Sequence, residues 1–228
     1  MAIVNEYQCI DCGFEMKDDG RVFILDESGE TKDFLILMNT CHWLDNARVS
    51  GGVSETYCSD CDKYLKIYTI NEVGEGIENP QKKVRKGIEK HISKMGAELQ
   101  KLKDIRKKSE YTIEKVDYYY IFKIPEYSNF YYSSYLLPEM TREDVIKDAL
   151  NDFYEEIDEV IDEMDECYNR FINANYVIEE ADGWEDEDLS QKVKCPECGK
   201  EIVRHISSDS TCPKCGGRSF LASSICYD

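Results

Sequence analysis

The sequence predicts an α+β chain in which two small cysteine-rich β modules flank a long antiparallel helical hairpin, with a short aromatic-rich β segment between the helices. Three observations predict it. Four C-x-x-C pairs sit at the two ends, Cys9/Cys12 and Cys58/Cys61 toward the start and Cys195/Cys198 and Cys212/Cys215 toward the finish. Two middle segments show helical apolar spacing with opposite net charge, and nine aromatic residues fall within 118–135 between them.

The cysteine pairs come first because their chemistry is the most specific. Two thiolates in a C-x-x-C turn converge on one ion, and two such turns complete the tetrahedral four-sulfur shell that zinc prefers. Gly13, Gly199 and Gly216 follow three of the turns, where the chain needs positive φ, and Asp62, one of the few other residues that tolerates it, follows the fourth. The expectation is therefore two metal ions per chain, zinc first, with iron as an alternative because a four-cysteine site accepts either. Of the eleven cysteines, eight are assigned to metal. Cys226, in the apolar run 220–227, reads as a buried strand residue, and Cys167, on a helical stripe, as core. Cys41 and His42 sit between the first two turns and read as loop residues, since the shells are complete without them.

Pairs spaced this closely rarely make structural disulfides, and the start MAIVNEYQC has no basic region followed by an apolar core, so a reducing cytoplasm is expected. No apolar run approaches the roughly 18 residues of a membrane span.

The net charge of −19 divides the chain. Residues 1–78 carry −10, 79–110 carry +7, 111–138 carry −1, 139–182 carry −13 and 183–228 carry −2. In the basic segment Ile88, Ile92, Met95, Leu99, Leu102 and Ile105 form an apolar stripe, and Pro80 marks the helix start. In the acidic one Ile146, Leu150, Phe153, Ile157, Val160, Met164, Cys167 and Phe171 recur at steps of four and three. Thr141, with Glu143 and Asp144 after it and Pro138 before, supplies the cap. Neither helix buries its stripe alone, so the two are expected to pair antiparallel, with charge selecting partner and register. Residues 111–124, β-branched and aromatic, read as one or two strands packed on the hairpin or on a partner protein. The stretch 182–188 reads as an acidic linker that Trp184 anchors. The expected domains are 1–78, 79–182 and 183–228.

Thirteen residues separate Cys198 from Cys212, enough for one short hairpin, so the last two pairs read as a compact ribbon. Forty-five residues separate Cys12 from Cys58, so the first ribbon would carry an insertion, a hairpin of 21–25 and 33–38, before the strand 64–70. The segments Cys195–Gly199 and Cys212–Gly216 resemble the knuckles of zinc-ribbon and rubredoxin-like proteins, over only the last thirty-odd residues. The two ends together resemble a prokaryotic family with a ribbon at each end, a likeness that implies a fold and no activity. Pairing of sequence neighbours is preferred because it costs less loop entropy. Pairing of Cys58/Cys61 with Cys195/Cys198 is also geometrically feasible, since antiparallel helices would bring residues 78 and 183 together.

Closed four-thiolate shells are structural rather than catalytic. The three histidines, His42, His91 and His205, form no H-E-x-x-H, and no P-loop or G-x-S-x-G is present. A rubrerythrin-like bundle would need Glu-x-x-His, which the acidic helix lacks. No catalytic residue is therefore assigned, and a non-catalytic protein-interaction or scaffold role is expected, the partner having a basic surface. The alternative is nucleic-acid association through the basic helix 82–108, with Lys101, Lys103, Arg106 and Lys107 as contacts, although both ribbon regions are acidic. Rubredoxin-like electron transfer is the third reading.

Overall fold

The computed structural model describes residues 2–18, 21–35, 47–108, 110–116, 119–127, 131–135, 141–181, 192–204, 210–217 and 220–227. These hold strands β1 (Ala2–Cys9), β2 (Glu15–Asp18), β3 (Arg21–Leu25), β4 (Thr31–Leu35), β5 (Val49–Cys58) and β6 (Lys63–Val73), then helix α1 (Pro80–Lys108). Strands β7 (Thr112–Val116), β8 (Tyr119–Lys123) and β9 (Tyr131–Tyr135) precede helix α2 (Arg142–Ile172), and β10 (Asn175–Glu180), β11 (Lys192–Lys194), β12 (Glu201–Val203) and β13 (Phe220–Tyr227) close the chain. Two compact units result, one made of residues 1–92 with 170–228, the other of 93–169.

The first unit is built on a sheet of order β10-β6-β5-β3-β4. Its centre, β6, reads Lys63-Tyr-Leu-Lys-Ile-Tyr-Thr-Ile-Asn-Glu-Val73 and is buried without alternation from Leu65 to Ile70, the pattern of a strand covered on both faces. Tyr68 and Ile70 share one face with Phe23, Leu25, Val49 and Val53, covered by Val84 and Ile88 of α1. Leu65 and Ile67 face the other way, against Val193 of β11 and Ile202 of β12. The α1 turn that carries Gly87 lies so close that a Cβ there would run into Thr31 Oγ1 and Leu25 Cδ1. A Cβ on Gly51, where β5 bulges against β6, would meet the Thr69 carbonyl. The expected hairpin is present as β3 and β4, with residues 36–38 of its expected second strand outside the described residues, but it extends this sheet through β5 and is not an insertion in a ribbon. Its turn is set by Asp26, whose Oδ1 accepts from Ser28 Oγ at 2.5 Å and the Glu30 amide at 3.1 Å, with Gly29 at φ 76°. Strand β10, unforeseen in the sequence, pairs parallel with β6. A second sheet, β13-β1-β2, joins the two ends of the chain over eight residue pairs.

The second unit is one apolar cluster. Leu99 and Ile105 of α1 meet Ala149, Phe153, Ile157 and Ile161 of α2, and Phe122, Ile124 and Tyr127 of the β7-β8-β9 meander close the cluster. Lys103 Nζ lies 2.6 Å from Asp165 and Arg106 Nε 2.7 Å from Asp158, so the number rises along one helix as it falls along the other, as expected for antiparallel partners. Thr141 caps α2 reciprocally: its Oγ1 accepts from the Asp144 amide at 3.2 Å and its own amide donates to the Asp144 carboxylate at 2.8 Å. Two strands, β7 and β8, stand within 111–124, where one or two were expected, and β9 at 131–135 extends them into a meander. The α2 seam also differs from the heptad reading. Its buried line runs at steps of four through Val145, Ala149, Phe153, Ile157 and Ile161; the expected Ile146, Leu150 and Met164 pack partly buried beside it and Phe171 is buried, whereas Cys167, read as core, is exposed and Tyr168 takes an inner position. A straight helix of 3.6 residues per turn drifts about 20° per heptad off a 3.5 repeat, and packing on both α1 and the meander widens the buried face. Cys226 lies in β13 opposite Ile3, within the strand expected there.

Among the described residues no helix is long and apolar enough to cross a membrane. Cys41, His42, Pro138, Trp184, the acidic linker 182–188 and His205 lie outside the described residues.

Candidate metal centre

Each cysteine pair is held by the tip of a tight turn; three of the four turns share one hydrogen-bond pattern, and all four share a left-handed residue after the second cysteine. The amides of Gly13, Gly199 and Gly216 donate to the carbonyls of Cys9, Cys195 and Cys212, each at 2.8 Å. The amides of those cysteines in turn donate to the carbonyls of Phe14, Lys200 and Gly217 at 2.7–2.8 Å. Gly13, Gly199 and Gly216 have φ of 68°, 76° and 74°, and Asp62 has φ of 53°, so all four residues expected in left-handed backbone adopt it. Three of the turns cap antiparallel hairpins, β1–β2, β5–β6 and β11–β12.

The turns do not pair with their sequence neighbours. Cys9 and Cys12 converge with Cys212 and Cys215, and Cys58 and Cys61 with Cys195 and Cys198. The preferred local pairing is thus overturned, and the less favoured meeting of Cys58/Cys61 with Cys195/Cys198 is the one present. Loop entropy is a slowly growing cost, logarithmic in length, and burial of Leu65, Ile67, Val193 and Ile202 between the two hairpins outweighs it. The second group forms the inner site, since Cys61 and Cys195 are 134 residues apart, and the first forms the outer site, with 200 between Cys12 and Cys212.

Within each group the four sulfurs lie within 4.8 Å of one another. Cys9–Cys215 and Cys12–Cys212 are 3.6 and 3.8 Å apart, and Cys58–Cys198 and Cys61–Cys195 are 3.5 and 3.8 Å. A disulfide needs about 2.05 Å. The edge of a tetrahedron with metal–sulfur bonds of about 2.3 Å is about 3.8 Å. Two groups of four thiols, each able to hold one metal ion, are therefore in place. In the outer group Cys9 and Cys212 are buried among Phe14, Met16 and Tyr57, while Cys12 and Cys215 are exposed. In the inner group Cys58 and Cys195 are buried and Cys198 is exposed.

The electrostatics of each group call for a cation. Burial pushes the Cys9 thiol up, but the amides of Cys12 and Asp11 and the Cys215 thiol donate to its sulfur and bring it down to about 7. Cys195 reaches about 7 likewise, burial being outweighed by the Cys198 and Glu197 amides. Their neighbours move the other way. At Cys12 the Phe14 amide lowers the value, yet burial and the sulfurs of Cys215, Cys9 and Cys212 raise it to about 12. Burial followed by neighbouring sulfurs also raises Cys61, Cys58 and Cys212. Like charges packed this closely resist ionising together, and a divalent cation is what lets all four become thiolates. Gly217 and Asn175 add donors, the Gly217 amide 3.4 Å from Cys215 Sγ and Asn175 Nδ2 3.8 Å from Cys195 Sγ.

The four cations named as nucleic-acid contacts divide evenly. Lys103 and Arg106 are engaged by Asp165 and Asp158, and the Arg106 guanidinium also lies 4.4 Å from the Tyr154 ring centre. Lys101 and Lys107 are exposed. His91 Nδ1 is 3.0 Å from the buried Glu30 carboxylate, with its ring edge-on to Phe171.

One polar cluster went unread in the sequence. Lys66, 2% exposed in the middle of β6, sits 3.0 Å from Glu55 and 3.7 Å from Asp33, with its ammonium 3.8 Å from the Phe171 ring centre. Arg170 binds Glu55 at 2.6 Å, and Tyr68 donates to Asp33 at 2.9 Å. Burial raises the Asp33 carboxyl in spite of Lys66 and Tyr68, whereas at Glu55 the two cations Lys66 and Arg170 outweigh burial and lower it. The available signal was position: Lys66 shares parity with Tyr64, Tyr68 and Ile70, the apolar face of the strand.

No protein-family model, curated protein or solved structure matches this chain.

Proposed function

We propose that this protein is a zinc-binding, non-catalytic interaction module, in which two zinc ions fasten the first sixty residues to the last thirty-five and hold the helices for display to a protein with a basic surface. The observation that carries the reading is the pair of closed four-thiol groups, which leave no coordination position for a substrate. Zinc is favoured over iron because a closed four-thiolate shell is the form structural zinc sites take, although such a shell accepts either metal.

The partner reading rests on α2. Asp152, Glu155, Glu159, Asp162, Glu163 and Glu166 recur at helical spacing on its exposed side and make no ion pair with any described residue. Such a stripe attracts and orients a basic surface. Nucleic acid is disfavoured because two of its four candidate cations already serve the helix pair.

Elemental analysis of the purified protein is expected to return two zinc ions per chain. One ion, or the red colour of ferric thiolate, overturns the metal assignment. Affinity purification at low and high salt, with and without nuclease, tests the partner. A nuclease-resistant, salt-sensitive protein partner lost on replacing Glu155, Glu159 and Asp162 by Lys supports the reading. Recovery of nucleic acid alone, abolished by Lys101→Glu with Lys107→Glu, overturns it.

A further inference from the structure

The two four-cysteine groups are nested in the chain, and nesting has a thermodynamic consequence. The inner site joins Cys58/Cys61 to Cys195/Cys198, and the outer joins Cys9/Cys12 to Cys212/Cys215 outside it. Closing the outer site alone closes a loop between residues 200 apart. With the inner site closed, the path shrinks to the 46 residues from Cys12 to Cys58 and the 14 from Cys198 to Cys212, about 60 in all. For a flexible chain closure cost scales as three halves of the logarithm of length, so the inner site favours the outer by up to about sixfold, the full factor applying when the intervening chain is unfolded. Linkage requires the outer site to favour the inner by the same factor.

Packing acts in the same direction, because the sites share the end of β5. Cys58 is an inner-site ligand, and Tyr57, one residue earlier and on the opposite face of the strand, packs with Cys9, Phe14, Met16 and Cys212 of the outer site. The Tyr57 ring is 4.7 Å from Phe14 and 5.4 Å from Tyr64, which donates from its hydroxyl to the Glu15 carbonyl. Tyr57 also hydrogen-bonds Asp62, the left-handed residue of the inner knuckle. Asp62 in turn lies 3.9 Å from Lys214 of the outer knuckle. Fixing Cys58 and Cys61 on an ion therefore fixes one wall of the outer site.

We propose that the two metal sites load as a coupled pair, each raising the affinity of the other, so that the one-ion chain is a minor species. This rests on the reading that each four-cysteine group holds a metal ion. Since both sites have the same four-thiolate chemistry, their intrinsic affinities are similar and the coupling decides the populations. The pair then behaves as a two-state clasp on the chain ends, open without metal and closed with two ions.

The test uses the full chain, metal-free and kept anaerobic, with cobalt(II) as the probe, because its thiolate charge-transfer bands report on four-sulfur sites. Native mass spectrometry at one equivalent of cobalt is expected to show mainly the metal-free and two-ion forms, with the one-ion form clearly below half and near 30% where the coupling reaches about sixfold. Independent sites, equal or unequal, give half or more, and that result overturns the proposal. A double cycle sharpens it. Cys12→Ser with Cys215→Ser, and Cys61→Ser with Cys198→Ser, each leave one site and the buried cysteines of the other. The product of their two single-ion constants is expected to fall several-fold below the two-ion constant of the unaltered chain, and equality overturns the coupling. Should either variant fail to fold, the measurement on the unaltered chain still decides. A chain that binds no cobalt defeats the four-cysteine reading itself, an outcome distinct from two ions bound independently.

Discussion

Among the described residues, 93–169 bury a single apolar cluster of nine side chains, whereas the segments 1–92 and 170–228 divide theirs among three smaller clusters, two of which contain cysteines of the four-thiol groups. In the first case, burial of Phe153, Ile157 and Phe122 is enough to hold the elements. In the second, the β11–β12 hairpin contributes only Val193 and Ile202 beside its cysteine, too little apolar surface to hold it. Where the chain builds little core, it places the two four-cysteine groups. The comparison teaches that the two units should fail under different insults.

Metal removal is the largest expected effect. A structural zinc ion contributes about 10–16 kcal/mol of apparent binding free energy in small zinc-stabilised peptides, and on the proposed reading it would also be folding free energy here. A strong chelator is expected to remove hydrogen-exchange protection from β1, β2, β11 to β13 and the Cys58 end of β5, while the amides of α2 around Phe153 and Ile157 keep theirs. Equal loss in both units would break the comparison; unchanged exchange throughout would show that the thiols hold nothing structural.

The opposite insult is Phe153→Ala. Its ring is fully buried and packs edge-on against Tyr127, so the truncation is expected to cost about 3–5 kcal/mol in denaturant unfolding of residues 93–169. Two ions per chain should remain bound. If the metal content falls as well, the units are not separately stabilised.

What was legible in the sequence follows the range of the interactions. The four turns and their left-handed residues were readable because they are local: Gly13, Asp62, Gly199 and Gly216 are required by the backbone within five residues. The helices, the Thr141 cap and the Pro80 start were readable for the same reason. The partners of the turns were not, since a C-x-x-C half-site is the same whichever other half completes it. Only burial of Leu65 and Ile67 against Val193 and Ile202 decides that. Strand β10 escaped because a short run after a helix gains its ladder from β6, over a hundred residues earlier. Lys66 escaped because a lysine between Leu65 and Ile67 reads as an exposed interruption, when its charge is in fact met by Glu55 and Asp33 from other strands.

That buried cluster gives the next expected effect. Lys66→Ala leaves Asp33 and Glu55 buried, with Arg170 alone against Glu55. Orphaning a buried charge costs about 3–5 kcal/mol, and the remaining guanidinium places this change at the lower end, about 3 kcal/mol. Lys66→Met with Asp33→Asn and Glu55→Gln should recover most of the loss. If the single change is harmless, the cluster is hydrated and the sheet face is less tightly covered than the burial of Lys66 indicates.

Gly87→Ala separates packing from helix preference. Alanine is favoured over glycine by about 1 kcal/mol in an exposed helix interior. At Gly87 the added methyl meets Thr31 Oγ1 and the Thr31 amide nitrogen, the latter at 2.9 Å. A net loss of about 1–2 kcal/mol is expected, because the overpacking outweighs the preference. A gain in thermal stability would mean that α1 can shift away from β4 at little cost.

The smallest effect expected is at the ion pairs that were assigned the role of selecting helix partner and register. Arg106 binds Asp158 through two hydrogen bonds, 2.7 and 3.0 Å, and lies over Tyr154, while its side chain and that of Asp158 remain 39% and 49% exposed. The Arg106 hydrogen bond holds the Asp158 carboxyl below its usual range, but solvent and salt screen a pair this open. Arg106→Gln is therefore expected to change stability by only about 0–1 kcal/mol at physiological salt and by less at high salt. Denaturant midpoints of the variant and the unaltered chain at the two salt concentrations measure it. A loss above about 2 kcal/mol that persists in high salt would exceed what an open pair supplies. It would show that this pair, rather than Leu99, Phe153 and Ile157, holds the helices together, and would reverse the account of residues 93–169 as the part of the chain that apolar burial sustains.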